Sequence, residues 1–395
     1  MLERPKLLIV APFLGASSEV WLWRQIVRFK RFNVSVLTWQ HFNQDKFSLP
    51  GVHVENMQLD FNQKRSFVER VKNRLCDLRN LNFCGPAPQE RDLIYKCIKK
   101  IQPDIVLCHF GYTAMRIFPA VKALKLPIVV HFHGRDISVS LRNKWYRWSL
   151  KNMINHFSAA VVVGSHQRRK LIDEYFMEED RVFLIPCGVP TDVFNLVEPR
   201  SGNSGIQFVS VSRVSEEKGI GYSVRAFAKI ATSMLDARYV IIGDGPLRRE
   251  IEDMVQSFEL GERVSIVGMK SPEEIIEYLR LSDVFIQHSV QSQNGSIEGF
   301  GVTVAEASSM GLPVVVTDCG GIADQVVDGV TGYIVPQRDV SAMAERMKQL
   351  AGNIERRKEM GRAGRLRMVD HFDTKLQVQK LEEVLIEAVD AWKKY

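Results

Sequence analysis

One stretch, residues 296–316, constrains this chain more than any other. Its sequence, SIEGFGVTVAEASSMGLPVVV, predicts a glycine-bounded loop, a short helix, a Gly-Leu-Pro turn and a buried strand. Gly299 and Gly301 leave room for a ligand to approach the backbone. The free N–H groups and the positive dipole end of the following helix favour an anion such as phosphate. The stretch therefore predicts a phosphate site in an α/β domain.

Two carboxylates frame the predicted helix. Glu298 and Glu306 lie eight residues apart, so a helix between them separates their Cα atoms by at most ~12 Å. A carboxylate accepts two hydrogen bonds side by side, which suits the paired hydroxyls of a ribose or a hexose. We predict that these glutamates hold the two ends of a sugar nucleotide, with its diphosphate at the helix N-terminus.

The segment EGFGVTVAE, followed by ASSMGLPVVVTDCGGIADQVVDGVTGYIVP, resembles the donor-binding signature of the retaining glycosyltransferases of family 4, also described as glycosyl transferases group 1. The resemblance implies the α/β GT-B fold, in which two Rossmann-like doubly wound parallel-sheet domains face each other across a cleft. It implies that Glu298 binds the donor sugar and Glu306 the ribose. It also implies that Gly299, Phe300 and Gly301 lie at the donor. Just before this segment, His288-Ser289 stands where the family usually has Pro-Ser, and the loop at 290–297 is longer than the minimal form.

The length of 395 residues exceeds one ordinary core and predicts two domains. A strand, loop and helix open the chain, and the same order begins again at residue 206, after a segment of linker composition. We predict an N-terminal acceptor-side Rossmann-like domain over residues 1–190, a linker over 191–205 and a C-terminal donor-binding domain over 206–370. The chain closes with two predicted helical stretches, roughly 340–368 and 373–394. By resemblance, a C-terminal helix over 371–395 crosses back to the N-terminal domain.

Two cations five residues apart, Arg213 and Lys218, follow the first predicted strand of the second domain. Arginine as a planar fork and lysine as a point charge suit a diphosphate. The pair also matches the family's Arg-(four residues)-Lys-Gly element, whose cations bind the donor diphosphate. Gly268 and Met269 match the family's backbone beside the donor base.

Two predicted strands of the first domain end near histidines, His109 and His131. Residues past the carboxyl ends of parallel strands line the ligand crevice of such sheets, although a lone histidine there is often structural. The element His133-Gly134-x-Asp136 resembles the family's His-Gly-x-Asp, whose histidine faces the donor sugar. We therefore predict that His133 is a catalytic residue, together with Glu298, Arg213 and Lys218.

The loop after the first predicted strand carries Gly15, which we predict to be a donor-binding residue. The apolar run 7–11 predicts a strand that ends at Pro12. In this loop the family usually has a glycine pair followed by glutamate. Glu19 matches, but Ala16-Ser17-Ser18 replaces the glycines, so we expect the loop to lie differently over the donor phosphates and the acceptor.

The sequence contains no Asp-x-Asp pair of the kind that holds a divalent ion in metal-dependent transferases. We therefore expect no metal and no cofactor besides the nucleotide-diphosphate sugar, which is the donor substrate. The two cations and the helix N-terminus then have to stabilise the negative charge of the leaving group. Two alternatives stay open, namely a nucleotide-sugar epimerase of the same fold and a non-catalytic sugar-nucleotide binder.

Charge is unevenly distributed along the chain. Residues 1–190 carry a formal charge of +13, and residues 191–395 carry −6. This excess suggests an acidic partner. The basic amphipathic pattern at 64–79 and the mixed aromatic and basic residues at 141–151 suggest an anionic membrane surface, against the alternative of ordinary surface helices. No recognition helix or RNA-stacking motif is present, so no nucleic acid is expected.

These features predict a glycan or lipid-linked glycan acceptor, and a place in the assembly of cell-surface polysaccharide or lipopolysaccharide. No apolar run reaches 18 residues and the opening does not resemble a signal peptide. The six cysteines are scattered, which indicates reduced thiols. We expect a cytoplasmic protein that can lie peripherally at the inner face of the cell membrane.

Overall fold

The computed structural model describes residues 4–16, 19–58, 84–197 and 205–394. The chain forms two compact units, one of Met1–Cys187 with Lys375–Tyr395, the other of Gly188–Thr374. Within the described residues, no helix is both long enough and apolar enough to cross a membrane. The basic segment predicted at 64–79 lies outside the described residues.

The first unit is built on a parallel sheet whose inner strands are almost wholly buried. Such strands lie between two helical layers, which explains their continuous apolar sequences. In the described residues the sheet has seven strands: β1 (Lys6–Leu14), β2 (Asn33–His41), β3 (His53–Asn56), β4 (Ile105–His109), β5 (Ile128–Phe132), β6 (Ala159–Val162) and β7 (Val182–Leu184). Their order is β3-β2-β1-β4-β5-β6-β7, with every pair parallel.

The helices of the first unit come from both ends of the chain. Among the described residues they are α1 (Val20–Ile26), α2 (Pro88–Ile101), α3 (Gly111–Ala123), α4 (Lys144–Met153), α5 (Ser165–Asp173) and a final helix (Thr374–Trp392). In this final helix the Glu382 carboxylate accepts hydrogen bonds from the backbone N–H groups of Lys30 (2.7 Å) and Arg31 (2.6 Å). The Trp392 indole donates to the carbonyl of Lys125 at 3.1 Å.

The second unit repeats the architecture with six described strands. They are β8 (Gln207–Val211), β9 (Arg238–Ile242), β10 (Val264–Ile266), β11 (Val284–Gln287), β12 (Val314–Thr317) and β13 (Gly332–Val335). Their order is β10-β9-β8-β11-β12-β13, again all parallel. This is the strand order of a doubly wound Rossmann sheet.

Helices cover both faces of the second sheet: α6 (Ile220–Ala231), α7 (Arg248–Ser257), α8 (Pro272–Arg280), α9 (Val302–Ser309), α10 (Ile322–Gln325), α11 (Val340–Ala351) and α12 (Ile354–Arg367). The final helix of the chain, Thr374–Trp392, is α13. Local sequence fixes several helix starts. Ser271 and Glu274 form a reciprocal capping box at α8, with Pro272 in the first turn.

The predicted fold class, two Rossmann-like parallel-sheet domains, is confirmed by these sheets. Two local predictions were wrong. Strand β1 continues through Pro12 to Leu14 and pairs with β2 on either side of the proline, because proline removes only one N–H from the ladder. The single helical stretch predicted at 340–368 is two helices, since Asn353 caps a new helix by accepting from Arg356 N.

Candidate active site

The order of strands in the second sheet reverses between β8 and β11. Loops that leave the carboxyl ends of two such strands diverge, which opens a crevice where ligands bind in doubly wound sheets. The segment that contains Arg213 and Lys218 leaves β8, and the segment that contains Glu298 leaves β11. The topology therefore brings these predicted site residues to one edge of the sheet.

Helix α9 begins at Gly301, whose backbone lies in the left-handed region with φ 82°. A Cβ at this position would lie 2.9 Å from Ile322 Cγ1, so both conformation and space favour glycine. No side chain caps the helix. Its first-turn N–H groups and positive dipole end are therefore suited to a ligand anion, as the sequence predicts.

Two further glycines hold the loop that precedes α9. A Cβ on Gly320 would lie 2.0 Å from the carbonyl oxygen of Glu298, and a Cβ on Gly321 would lie 2.0 Å from that of Gly299. Gly321 N also donates to the Glu298 carbonyl at 3.1 Å. The buried Phe300 contributes a carbonyl that accepts from the Gln325 amide. Close backbone packing therefore fixes the position of the Glu298 backbone.

The Glu298 carboxylate is ion-paired with Lys218, and both side chains are mostly buried, with 13% and 22% exposure. Gln287, at the end of β11, donates to the same carboxylate oxygen at 3.3 Å and to Ser289 Oγ at 2.8 Å. Its own carbonyl accepts from Thr303 Oγ1 at 3.3 Å. Gln287 therefore connects Glu298 to the first turn of α9.

Arg213 is exposed and, in the described part of the chain, forms no salt bridge. The segment around it depends on Gly243 and Gly245. A Cβ on Gly243 would lie 1.9 Å from the carbonyl of Ser212, and one on Gly245 would lie 2.3 Å from that of Val214. These glycines allow the exit of β9 to pack closely against the segment that carries Arg213.

The loop at 290–297, which we expect to be longer than in the minimal family pattern, is fastened to the Lys218 segment. Val290 N donates to the carbonyl of Glu217 at 2.9 Å, and Gln293 N donates to the Glu216 carboxylate at 2.8 Å. Gly219 has φ 60°, and a Cβ there would lie 1.8 Å from the carbonyl of His288. The two segments at the crevice therefore form one connected structure.

The remaining predicted donor residues of this unit lie on neighbouring elements. Glu306 is buried on α9, at 6% exposure. Gly268, with φ 74°, follows β10 and accepts from Gly243 N at 2.8 Å. The side chain of Met269 is 70% exposed. Gly268 thus has a direct backbone connection to the β9 exit, and Met269 leaves its side chain open to a ligand.

In the first unit the order of strands reverses between β1 and β4. Gly15 follows β1 with φ 74°, and a Cβ there would lie 2.1 Å from the carbonyl of Phe42. Asn43 Nδ2 donates to the carbonyl of Gly15 at 2.9 Å. Burial raises the pKa of nearby Glu19 to about 7. Ser17 and Ser18 lie outside the described residues.

Three histidines meet at the ends of β4 and β5. His109 Nδ1 and His133 Nε2 are 2.9 Å apart, and the two rings are within 29° of coplanar. This geometry fits a hydrogen bond in the plane of both rings. His133 also lies against Trp21 on one side and His131 on another, with ring centroids 4.1 and 4.2 Å away, and its Nδ1 is 3.7 Å from Cys187 Sγ.

Burial is the main cause that lowers the pKa values of all three histidines, that of His131 to about 3. They are therefore neutral near pH 7. The buried Asp136 carboxylate accepts from the backbone N–H groups of Gly111, His133 and Gly134 at 3.0 to 3.1 Å. Within the His-Gly-x-Asp element, the aspartate therefore fixes the backbone of the histidine.

Among the described residues, this histidine cluster is also the group that offers ligands to a metal ion. One nitrogen from each ring lies within 4.8 Å of the others, and imidazole is a common ligand of divalent transition metals. The 2.9 Å separation between His109 and His133 is equally that of an ordinary hydrogen bond. A hydrogen bond therefore accounts for the close approach of those two rings, while, within the ranges that the structure describes, His109 Nε2 and both ring nitrogens of His131 are buried without a hydrogen-bond partner.

Within the second unit the structure brings Glu298, Lys218 and the start of α9 together. The sequence alone did not identify Gln287, which connects them, or Gly320 and Gly321, which pack against the loop before α9. The two adjacent glycines were the available signal. A glutamine at the end of a buried strand carries no motif. His288, which stands where the family has proline, packs against Tyr222 and Met343, and burial lowers its pKa to about 4.

Comparison with known proteins agrees with this fold. The sequence pattern of Glycosyl transferases group 1 matches residues 197–367, and that of Glycosyltransferase Family 4 matches residues 59–193. The amylovoran biosynthesis glycosyltransferase AmsK of Erwinia amylovora is 27% identical over 289 residues, covering 73% of this chain and 71% of that one. The α-D-kanosaminyltransferase of Streptomyces kanamyceticus is 31% identical over 270 residues, covering 63% and 68%.

The crystal structure of HepE from Anabaena in complex with UDP superimposes with a TM-score of 0.76 at 17% identity, covering 97% of this chain and all of that one. Fold and sequence together define a glycosyltransferase with the GT-B fold. The chain belongs to glycosyltransferase family 4.

Proposed function

We propose that this protein is a retaining glycosyltransferase that moves a sugar from a nucleotide-diphosphate sugar to an acceptor hydroxyl. The observation that carries the proposal is the pairing of a carboxylate and a cation beside an uncapped helix start. Glu298 and Lys218 are in contact, and Glu298 immediately precedes the loop that ends at Gly301. A donor requires these three groups, one for the sugar hydroxyls and two for the diphosphate.

The diphosphate binds at the N-terminus of α9, where Lys218 and the exposed Arg213 add positive charge. As the bond between the sugar and the β-phosphate breaks, negative charge grows on the leaving oxygen. Fixed N–H groups and cations stabilise this charge more strongly than they stabilise the bound donor, which accelerates bond cleavage. No metal ion is required in this scheme. Glu306 binds the ribose, and Gly268 and Met269 border the base.

Retention follows if the acceptor attacks the same face of the sugar from which the diphosphate departs. The leaving phosphate then takes the proton of the acceptor hydroxyl, and no protein nucleophile forms a covalent intermediate. From the sequence we retain the proposals that His133 is a catalytic residue and that Gly15 is a donor-binding residue. Both nitrogens of His133 already have neighbours, His109 and Cys187, so a substrate hydroxyl has to replace one of them.

The acceptor that we propose is a growing polysaccharide, or a lipid-linked precursor of cell-surface polysaccharide or lipopolysaccharide, at the inner face of the membrane. The name of AmsK, a glycosyltransferase of amylovoran biosynthesis, supports this class, and the +13 charge of residues 1–190 suits a phosphorylated carrier. An acceptor of this kind would have many hydroxyl groups and a charged anchor.

Release of nucleoside diphosphate from a panel of uridine, guanosine and adenosine diphosphate sugars tests the proposal. We expect slow release from one donor, unchanged by chelator, and lost in Glu298→Gln and Arg213→Ala. Arg280→Ala is the matched control, because Arg280 is an exposed arginine on α8 of the same unit. Absence of both release and donor binding in the wild type would reject the proposal. Product analysis identifies an epimerase, since it returns a new nucleotide sugar without transfer.

A further inference from the structure

Helix α4 in the first unit presents two tryptophans to solvent. Its inner face is formed by buried residues that include Tyr146, Leu150 and Met153. On the outer face Trp145 is 43% exposed and Trp148 is 38% exposed. The two are three residues apart, so they lie on neighbouring positions of the helix surface. Side chains of this size stay this exposed at a cost in hydrophobic free energy.

The same outer face is strongly basic. Lys144, Arg147 and Lys151 are exposed and follow each other at intervals of three and four residues, which places them in one row. Helix α4 contains no acidic residue. Lys144 Nζ lies 5.2 Å from the ring centroid of Trp145. Aromatic and basic side chains therefore share one surface.

A third aromatic residue belongs to this surface. Phe176 is 73% exposed, and Lys151 Nζ lies 5.5 Å from its ring centroid. Its backbone has φ 57°, a left-handed conformation that is strained for a bulky side chain. The fold thus holds Phe176 outward beside α4. We call Lys144, Trp145, Arg147, Trp148, Lys151 and Phe176 the aromatic-basic face.

We propose that the aromatic-basic face docks the first unit on an anionic lipid surface. Tryptophan rings reside at the headgroup level of a bilayer, where their apolar body and N–H group are both accommodated. The three cations are placed to contact lipid phosphates. This inference rests on the proposed function and extends it, because a lipid-linked acceptor is found at such a surface.

Co-sedimentation of the full chain with vesicles tests the proposal. One set contains equal parts of phosphatidylglycerol and phosphatidylcholine, and the other contains phosphatidylcholine alone. We expect binding to the anionic set only, weakened by salt. Replacing Lys144, Arg147 and Lys151 by Gln lowers the partition coefficient by about a hundredfold, since each basic residue at such a surface contributes roughly fivefold.

A matched control removes the same charge from the other unit, by replacing the exposed Lys229, Arg280 and Lys348 with Gln. This triple variant keeps the binding of the wild type if the face, rather than net charge, attracts the membrane. The triple variant Trp145→Ala, Trp148→Ala, Phe176→Ala loses at least about tenfold in affinity while keeping all its cations. Circular dichroism confirms that each variant is folded.

The proposal would be overturned by equal losses in the two charge variants, by full binding of the aromatic variant, or by equally tight binding of single-stranded DNA to the same face. The transferase assay with a nucleotide sugar is run in parallel on soluble protein. If the wild type turns over a donor but does not bind the anionic vesicles, the docking surface alone is rejected. Vesicle binding without turnover of any donor rejects the proposed function and leaves the surface standing.

Discussion

Lys218 and Glu298, which are 80 residues apart in the sequence, form an ion pair at the carboxyl end of the second sheet. Each residue has a different proposed partner in the donor, since Lys218 binds the diphosphate and Glu298 binds the sugar. A diphosphate that reaches Lys218 must therefore compete with the carboxylate. The sugar hydroxyls then take the place of Lys218 as partners of the Glu298 carboxylate. A complete donor therefore provides a new partner for each residue of the ion pair.

This competition predicts opposite effects of Glu298→Gln on two ligands. The neutral amide releases Lys218, so we expect a nucleoside diphosphate without a sugar to bind about fivefold more tightly, which corresponds to roughly 1 kcal/mol. Turnover of the nucleotide sugar falls by about a hundredfold. Calorimetry with UDP and GDP and initial-rate measurements check the two effects. Glu345→Gln, an exposed residue of α11, is the control, and weaker diphosphate binding by Glu298→Gln would contradict the prediction.

Gln287 is a positioning residue in this arrangement. It is 1% exposed, and its amide makes hydrogen bonds to Ser289, Glu298 and Thr303. Gln287→Leu removes all three bonds, so we expect the free energy of unfolding to fall by about 2 kcal/mol and kcat/KM to fall about tenfold. Thr303→Val removes only one of the bonds and should have a smaller effect. Equal turnover in wild type and Gln287→Leu would show that Glu298 needs no such support.

Gly321 tests the packing that holds the loop before α9. A methyl group there would lie 2.0 Å from the carbonyl of Gly299, so Gly321→Ala must displace one of two backbones, at about 1 to 3 kcal/mol. We expect Gly321→Ala to bind the donor more weakly as well. Gly261→Ala is the control, because a Cβ at Gly261 has no atom within 4 Å. Thermal unfolding and donor titration measure the two outcomes, and similar behaviour of both variants would refute the packing argument.

The raised pKa of Glu19 predicts that the free energy of unfolding depends on pH. Burial raises its pKa from an ordinary value of 4.5 to about 7 in the folded protein, so between these values the folded state retains a proton that the unfolded state has lost. Its contribution is most favourable below pH 4.5 and is lost as the pH rises to 7, a change of about 3 kcal/mol. In Glu19→Gln this change is absent.

Urea denaturation of wild type and Glu19→Gln between pH 4 and 8 measures the difference. We expect the variant to gain stability relative to the wild type as the pH rises through this window. Parallel stability curves for the two proteins would show that the carboxyl group titrates normally. Glu345→Gln again controls for the loss of one surface charge.

The sequence was sufficient to predict both sheets and the loop, helix, turn and strand of residues 296–316, because the signals for them are local. Buried parallel strands are continuous apolar runs, and closely spaced glycines before a short helix are typical of a loop that binds an anion. Gly301, with its left-handed backbone, lies where the sequence suggests. The strand at residues 7–11 was harder to delimit, because Pro12 has the usual signature of a strand end although the ladder tolerates it.

Contacts between distant residues could not be predicted in the same way. Nothing in the order of residues shows that Lys218 meets Glu298, or that Gln287 binds both Glu298 and Thr303, since these depend on β8 and β11 being neighbours. The same holds for His109, whose ring meets His133 because β4 and β5 pair in parallel register. His288 departs from the family pattern, and its buried packing accounts for that departure.

The position of α13 has a consequence for the order of folding during synthesis. The second unit is one continuous segment, Gly188–Thr374, so it is synthesised before the residues of α13 from Lys375 onward. The first unit lacks Glu382, which binds the backbone of Lys30 and Arg31, until nearly the whole chain has been made. The half made first is thus completed last, and a nascent chain stopped before α13 has a finished second unit beside an unfinished first one.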